Sequence, residues 1–329
     1  MYHEYMNSVK FRITVGAPDA EHFVALHQAR VVVDGVDPDN PEEHYPNLED
    51  YREMIGSSNP KDWLIAEHEG EVIAYGQTLW NWQERDGVEV YLHCGFVKPA
   101  FRGKGVGTAL LEKLELRCRE KAEEARYLAN LEIAANASGT ELAAQELLEN
   151  HDYYVVFNML GMELARDTVL QKIPTTPEGY ELRVAKPEHY LMIWQSIGDA
   201  YDARNKENKR FGEAVRKERY QSYFSGDPSL IFVVWKLQSE RIAGQVLCTI
   251  RDNGAAEVLE VSVGLGHQRR GLGRFLLLNA LHKLRSRSVE LITLGTRAEN
   301  PTEAWRLYEK VGFRPRKDFL RWRKKRDQQ

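Results

Sequence analysis

A six-residue glycine pattern occurs twice in this chain and constrains its fold more than any other feature. Residues 102–107 and 268–273 both read [R/Q]-x-x-G-x-G. Each copy follows an apolar run with strand character, ending at Val97 or Val263, and each opens an apolar helical run. Such a turn directs backbone N–H groups at a phosphate, because the missing Cβ permits close approach and the helix N-terminus adds positive potential. Two copies in the same context predict a duplicated ligand-binding fold.

The turn differs from the better-known phosphate loops. A dinucleotide-binding turn needs G-x-G-x-x-G, and Leu276 stands beyond Gly273 where the third glycine would be. A P-loop needs G-x-x-x-x-G-K-[S/T], and the pair Gly103-Lys104 is followed by Gly105 instead. These turns therefore belong to a different class of phosphate-binding site.

Apolar periodicity, helix caps and turn residues predict the element order β-α-α-β-β-β-α-β-α-β in each half of the chain. In the first half we predict strands at 11–15, 63–68, 72–80, 89–97, 127–133 and 153–163, with helices after Asp19, at 48–55, from the glycine turn to 124, and at 140–149. In the second half we predict strands at 181–184, 230–236, 242–250, 257–263, 290–295 and 319–323, with helices at 189–201, 213–224, from the glycine turn to 285, and at 302–310.

This order predicts an α/β fold of two tandem domains, residues 1–170 and 171–329. Each domain is expected to be a mixed, mostly antiparallel sheet with helices on both faces. Pro174, Pro177 and Gly179 mark the linker between them. The 329 residues leave room for two domains of about 150 residues.

Charge divides the chain more sharply than its net value of −4 suggests. Residues 1–170 hold 15 Lys and Arg against 30 Asp and Glu, whereas the remainder holds 30 against 19. The opposite charges either help the two halves dock or present each half to a different ligand. An acidic, proline-rich loop at residues 34–47 could attract a cationic amine, although a solvated loop is the preferred explanation.

Compartment and partners follow from what the sequence lacks. It has no apolar run of about 18 residues and no signal-peptide pattern at its start, so we expect a cytoplasmic protein without a membrane partner. Cys94, Cys118 and Cys248 show no C-x-x-C spacing, which argues against disulfides or structural zinc. His93 adjoins Cys94 on a predicted strand, and adjacent side chains point to opposite faces, so no metal site is expected. The basic tail at 321–326 reads as a solvated strand, and no nucleic-acid partner is expected.

A second motif follows the second glycine turn at residues 300–313, N-P-T-E-A-W-R-L-Y-E-K-V-G-F. With the turn, it resembles the GNAT superfamily of acyl-CoA-dependent N-acyltransferases. The resemblance implies acetyl-CoA as cofactor, with its pyrophosphate in the glycine turn, Asn300 at the pantetheine arm and Tyr308 as the acid that protonates the departing thiolate. A phenol of ordinary pKa near 10 is protonated at neutral pH and can do so.

The strand before the second turn carries the remaining chemistry that the resemblance implies. A backbone N–H of Val261, Ser262 or Val263 would stabilise the oxyanion and track the pantetheine amides. Glu257 or Glu260 would deprotonate the amine; they differ by an odd number, so we expect them on opposite sheet faces. Glu257 is preferred, and bulk water acting through a relay stays a rival.

The candidate cofactor-binding residues are Val261, Ser262, Val263, Gln268, Arg269, Arg270, Gly271, Leu272, Gly273, Arg274 and Asn300 in the second half, and Val97, Arg102, Gly103, Lys104, Gly105, Val106, Gly107 and Thr108 in the first.

The first copy keeps its turn but departs from the later motif. Alignment places Leu148 at the position of Tyr308 and Asp152 at that of Gly312, while Tyr91 and Cys94 replace Glu257 and Glu260. Tandem acyltransferases resembling mycothiol synthase pair a weakened first copy with an active second copy. We therefore expect chemistry in residues 171–329, although Tyr153 or Tyr154 could substitute for the missing phenol.

The predicted function is N-acetyl transfer from acetyl-CoA to a primary amine of a small molecule, by direct attack in a ternary complex. A non-catalytic acyl-CoA-binding or regulatory protein is the alternative from another class, and two active sites with different acceptors is a third. The acceptor amine and the oligomeric state are not encoded in any motif of the sequence.

Overall fold

The computed structural model describes residues 9–38, 40, 43, 45–83, 87–126, 131–202, 220–239, 241–251, 253–299 and 302–325. Its contacts divide the chain into two compact units. The first unit comprises residues 1–158 together with 319–329, and the second comprises residues 159–318. The chain thus returns to the first unit with its last residues.

The first unit is a mixed sheet in the order β1-β2-β3-β4-β5-β12, in which β4 and β5 are parallel and the remaining neighbours antiparallel. Its strands are β1 (Arg12–Val15), β2 (Trp63–His68), β3 (Glu71–Gln83), β4 (Glu89–Val97), β5 (Leu131–Ser138) and the end of β12 (Arg314–Lys325). Its helices are α1 (Ala20–Asp34), α2 (Leu48–Ser57), α3 (Val106–Glu124) and α4 (Leu142–Glu149).

The second unit repeats this arrangement in the order β6-β11-β10-β9-β8-β7, with β10 and β11 parallel and the other ladders antiparallel. Its strands are the end of β6 (Tyr154–Leu164), β7 (Tyr180–Val184), β8 (Ile231–Lys236), β9 (Arg241–Ile250), β10 (Ala256–Val263) and β11 (Ile292–Arg297). Its helices are α5 (Tyr190–Asp202), α6 (Leu272–Ser286) and α7 (Ala304–Val311), and residues 220–224 are also helical.

Helices cover both faces of each sheet, as the sequence predicts. In the second unit one face packs on Phe275, Leu277 and Leu281 of α6, and the other packs on Ile193 and Ile197 of α5. In the first unit α3 covers one face, while Phe23 of α1 and Tyr51 of α2 cover the other. Asp19 caps α1 by accepting from the His22 N–H at 2.9 Å, which confirms the predicted helix start.

The closing strand of each unit comes from the other half of the sequence. Residues 319–325 of β12 pair with β5 from Ser138 to Glu132, and residues 159–164 of β6 pair with β11. The strand predicted to end at residue 133 continues to Ser138, because pairing with β12 carries β5 through alanines of low strand propensity. Residues 127–130, and most of the predicted helix at 213–224, lie outside the described residues.

Candidate active site

The two parallel strands of each unit separate before the glycine turn and leave a cleft between them. In the described chain, β10 and β11 pair only at Ala256↔Ile292 and Glu257↔Thr293, although β10 continues to Val263. The corresponding strands β4 and β5 share four pairs, ending at Leu92↔Ala134. Beyond these pairs the edge of β10, with its backbone N–H and C=O groups, borders the cleft.

A bulge in β10 decides which way its acidic residues point. Glu257 lies opposite Thr249 and Glu260 lies opposite Leu247, so Leu259 is an extra residue in the strand. Thr249 and Leu247 are two residues apart and share a face, and paired residues share a face. Glu257 and Glu260 therefore lie on the same face, the one covered by α5. The prediction of opposite faces is wrong, because the extra residue cancels the odd spacing.

The two carboxylates have different surroundings. Glu260 is buried, at 4% exposure, and its Oε2 accepts a hydrogen bond from the Tyr223 hydroxyl at 3.3 Å. Glu257 is partly exposed, and its Oε2 pairs with Arg251 Nη2 at 2.5 Å. Glu260 also lies beyond the last parallel pair, beside the cleft, whereas Glu257 belongs to that pair.

The first residue of each glycine pattern fastens the turn to the preceding strand. Gln268 donates through Nε2 to the Val263 carbonyl at 3.0 Å, and Arg102 donates through Nε to the Val97 carbonyl at 3.1 Å. Arg102 also forms a bidentate pair with Asp34 at 2.6 and 2.7 Å. Both side chains thus hold the turn against the preceding strand. They leave the backbone of the turn exposed.

The first of the two glycines that the copies share, Gly105 or Gly271, caps the following helix in a left-handed conformation. Gly271 has φ of 78° and Gly105 has φ of 82°, and neither helix has a side-chain cap. The first-turn N–H groups of a helix have no intrahelical acceptor, so those of α6 and α3 can receive an anion. The position two residues before this cap is also left-handed, with Gly103 at 68° and Arg269 at 59°.

The last glycine of each pattern allows close helix packing, and a larger residue there would make a leucine of the facing helix shift by a few tenths of an ångström. A Cβ on Gly273 would meet Leu307 Cδ2 of α7 at 3.2 Å, and one on Gly107 would meet Leu147 Cδ2 of α4 at 3.2 Å. Three arginines surround the second turn: Arg269, Arg270 and Arg274 are exposed, and Arg274 donates to Gln171 Oε1 at 2.6 Å. In the first turn the exposed Lys104 lies over the Phe101 ring, 5.5 Å from its centroid.

The pantetheine-tracking segment predicted for β10 is held rigidly. Ser262 is 1% exposed, and its hydroxyl accepts a hydrogen bond from Gln245 Nε2 at 2.6 Å. Gln245 Oε1 in turn accepts from Ser196 of α5 at 3.1 Å. These contacts fix the backbone direction of residues 261–263 along the cleft.

Tyr308 belongs to the apolar cluster on the α6 and α7 side of the second sheet and is 8% exposed. Its carbonyl accepts from the Phe313 N–H at 3.0 Å across Gly312, whose φ is 110°. Because Glu260 lies on the α5 face, Tyr308 and Glu260 approach the cleft from opposite faces of the sheet. Asn300, the remaining motif residue, lies outside the described residues.

The first unit keeps the backbone of this motif without its phenol. Tyr153 N–H donates to the Leu148 carbonyl at 3.1 Å, and Asp152 adopts the left-handed conformation with φ of 63°. Asp152 can take the place of glycine because aspartate tolerates this region. Leu148, at the position of Tyr308, is a buried apolar residue.

The first cleft also holds a mostly apolar cavity of about 250 Å³ that includes some polar side chains outside the sequence motifs. His93 lines it and bonds through Nε2 to the Tyr153 hydroxyl at 2.8 Å. Arg30 lines it too, buried and paired with Glu141 at 3.0 Å. Burial lowers the pKa of His93 to about 4 and raises that of Cys94 to about 12, so both are neutral. Their proximity to the cleft depends on strand pairing, which no local motif encodes.

Comparison with known proteins identifies the family to which this chain belongs. The profile of the Acetyltransferase (GNAT) family matches residues 29–145 and 194–313. The chain belongs to this family. It is a GNAT-type N-acetyltransferase with two tandem domains, as its repeated turns predict.

Three relatives that match about two thirds or more of the chain are all named mycothiol acetyltransferase. The mycothiol acetyltransferase of Nocardia farcinica is 26% identical over 266 residues, covering 79% of this chain and 82% of that protein. The mycothiol acetyltransferase of Geodermatophilus obscurus is 26% identical over 312 residues, covering 92% and 93%. That of Thermomonospora curvata is 30% identical, covering 66% of this chain and 68% of that protein.

Solved structures agree on the tandem fold. A GCN5-related N-acetyltransferase from Sphaerobacter thermophilus superposes with a TM-score of 0.73 at 24% identity, covering 96% of this chain and 95% of that one. A tandem GNAT protein from the clavulanic acid biosynthesis pathway gives 0.64 at 16% identity, covering 96% and 98%. Among the described helices, none is long and apolar enough to cross a bilayer.

Proposed function

We propose that this enzyme moves an acetyl group from acetyl-CoA to a primary amine of a small molecule, by direct attack in a ternary complex at the cleft of residues 171–329. The observation that carries the proposal is the arrangement around that cleft. A bare helix N-terminus lies at its mouth, Glu260 borders it on one face of the sheet and Tyr308 lies on the other.

The residues around the cleft fit coenzyme A. The N–H groups of Leu272 and Gly273 would receive the pyrophosphate, and Arg269, Arg270 and Arg274 would neutralise its charge. The edge of β10 at residues 261–263 would pair with the amides of the pantetheine arm, since β11 has already separated from it. Asn300 is assigned to the same arm by family resemblance.

Acetyl-CoA supplies an activated acetyl thioester, and the chain supplies the proton transfers. The attacking amine must be neutral, and we assign its deprotonation to Glu260 rather than Glu257, which is held by Arg251. A backbone N–H of β10 donates to the carbonyl oxygen as negative charge develops there. As the C–N bond forms and the C–S bond breaks, the Tyr308 hydroxyl gives its proton to the leaving sulfur.

The first cleft is proposed to bind coenzyme A without acyl transfer, because Leu148 offers no proton to a thiolate. A matched pair of substitutions tests this division of labour. Gly105 and Gly271 cap equivalent helices with φ of 82° and 78°, so replacing each with Asp introduces the same strain and the same charge. The reduction of kcat/KM by Gly271→Asp should be more than tenfold larger than the reduction by Gly105→Asp. The reverse ranking would place the chemistry in the first cleft.

The acceptor is proposed to be a small-molecule amine, and three cysteines that form no disulfide in the described chain are compatible with a cytoplasmic enzyme. Because the relatives are named for mycothiol, amines related to that compound belong in the first test panel. The experiment is thiol release from acetyl-CoA across this panel with mass detection of the N-acetyl product. Cofactor binding without product from any amine would favour the alternative, a non-catalytic acyl-CoA-binding protein.

A further inference from the structure

His93 contributes a hydrogen-bonding group to the first cleft that no motif predicts. The side chain is 3% exposed and lines the cavity of about 250 Å³ between β4, β5, α3 and α4. Its Nε2 is occupied by the Tyr153 hydroxyl at 2.8 Å, and its Nδ1 has no hydrogen-bond partner in the described structure. A buried polar atom without a partner is costly, so it indicates a site that a ligand completes.

The tautomer of His93 decides the role of Nδ1. A neutral imidazole carries one hydrogen, on either Nε2 or Nδ1. If Nε2–H donates to the Tyr153 oxygen, the lone pair on Nδ1 is left to accept a hydrogen bond from a ligand. If the Tyr153 hydroxyl donates to Nε2, Nδ1–H is a donor instead.

The remaining lining of the cavity limits what can enter. Most of it is apolar, from Leu110, Leu111 and Leu114 of α3 and Leu147 and Leu148 of α4. A volume of about 250 Å³ is below the usual 300–1,000 Å³ of drug-sized pockets, so it suits a slender arm rather than a whole cofactor. The ligand that fits is therefore a narrow chain whose carbon segments pack on these leucines and whose hydrogen-bonding groups meet the polar part of the lining, which includes His93, Arg30 and Glu141.

We propose that His93 is a binding residue of the first cleft and that its Nδ1 accepts a hydrogen bond from an N–H or S–H group of the pantetheine arm of coenzyme A. This rests on the proposed function only in taking coenzyme A as the ligand; no turnover is required. An amide N–H is present in both coenzyme A and acetyl-CoA, whereas the S–H is present only in the free thiol.

The test is the Nδ1 resonance of His93 in the full chain with ¹⁵N-labelled histidine, assigned by its loss in His93→Leu. Saturating coenzyme A, acetyl-CoA and adenosine 3′,5′-bisphosphate are added separately. A shift of Nδ1 with both arm-bearing ligands places the donor at an amide, and a shift with coenzyme A alone places it at the thiol. No shift with either, in protein whose second cleft titrates normally, overturns the proposal.

Affinity gives an independent check. In calorimetry, His93→Leu should weaken one of two coenzyme A sites by about tenfold, since an unmade hydrogen bond to a buried group typically costs that much. His93→Asn, which keeps an amide near Nδ1, should recover part of the loss. Unchanged affinity at both sites in His93→Leu contradicts the proposal. Failure of every amine to be acetylated, with a normal Nδ1 response, would refute the proposed function and leave this inference standing.

Discussion

At the scale of single residues, the proposed acid and base of the second unit lie on opposite faces of its sheet. Tyr308 packs among the apolar residues beneath α6 and α7, and Glu260 hydrogen-bonds Tyr223 on the α5 face. An acid and a base on opposite faces can act on opposite sides of a thioester held between β10 and β11. Each can therefore be removed without disturbing the other.

Tyr308→Phe should lower turnover by about 100-fold or more while leaving acetyl-CoA affinity nearly unchanged, because the hydroxyl is proposed to act only as the thiolate departs. Steady-state rates and calorimetry of the same preparation measure the two effects. Tyr51→Phe, which removes a buried hydroxyl on α2 of the first unit, controls for general damage. Normal turnover in Tyr308→Phe would remove this phenol from the mechanism.

Glu260→Gln and Glu257→Gln test the assignment of the base. We expect Glu260→Gln to reduce kcat/KM by at least tenfold and to flatten the acidic limb of its pH profile. Glu257→Gln breaks a partly exposed pair with Arg251 and should change activity less than threefold. If Glu257→Gln proves the more damaging, the preference from sequence spacing is right and the geometric assignment is wrong.

Protonation of His93 should destabilise the first unit at low pH. Burial lowers its pKa from 6.5 to about 4, so the unfolded chain binds this proton more tightly than the folded chain below pH 6.5. The free energy of unfolding starts to fall near pH 6.5 and stops falling near pH 4, with about 2 kcal/mol lost by pH 5. Urea unfolding at pH 7 and pH 5 measures it, and His93→Leu should lose that part of the pH dependence. If the stability of His93→Leu depends on pH as strongly as that of the unaltered protein, the loss at low pH does not come from His93.

At the scale of elements, the helix-to-strand turns after α4 and α7 share a conformation but not a sequence. Gly312 has φ of 110°, and a Cβ there would lie 2.7 Å from Thr168 Cγ2. Asp152 holds the equivalent place with φ of 63°. Where there is room for a side chain, this turn can therefore contain a residue other than glycine. The backbone conformation of the motif is then kept although its sequence differs.

Opposite substitutions at these turns should have opposite effects on stability. Gly312→Ala should destabilise the protein by about 2 kcal/mol, from the left-handed backbone and the contact with Thr168. Asp152→Gly should be neutral or stabilising by up to about 1 kcal/mol, because it relieves a left-handed non-glycine residue. Chemical denaturation midpoints measure both. Equal losses would show that Asp152 makes contacts that outweigh its backbone strain.

At the scale of the whole molecule, each sheet is completed by residues from the other half of the chain. Trp322, in the last strand of the sequence, is 2% exposed in the apolar cluster of the first unit with Leu131 and Ile133. The stability of the first unit therefore depends on the C-terminal residues of the second half. A cut at the linker would therefore separate each sheet from its closing strand.

Trp322→Ala should destabilise the first unit by about 3–5 kcal/mol, the usual cost of removing a large buried aromatic side chain. Hydrogen exchange should show lost protection of β5, whose ladder with β12 runs from Ser138 to Glu132. Trp305→Ala, at a partly buried tryptophan of the second unit, is the control and should leave β5 protected. Unchanged protection of β5 in Trp322→Ala would contradict the placement of β12 beside β5.

The sequence by itself determined the family, the doubling of the fold, the glycine turns and the order of elements. These features are local: a cap such as Asp19, a turn glycine such as Gly271, or an apolar stripe lies within a few residues of what it specifies. The tertiary structure decided the face of Glu260, the exchange of β6 and β12, and the pairing of His93 with Tyr153. Each of these depends on which distant strands pair and in what register, and a single extra residue such as Leu259 reverses the facing of a strand.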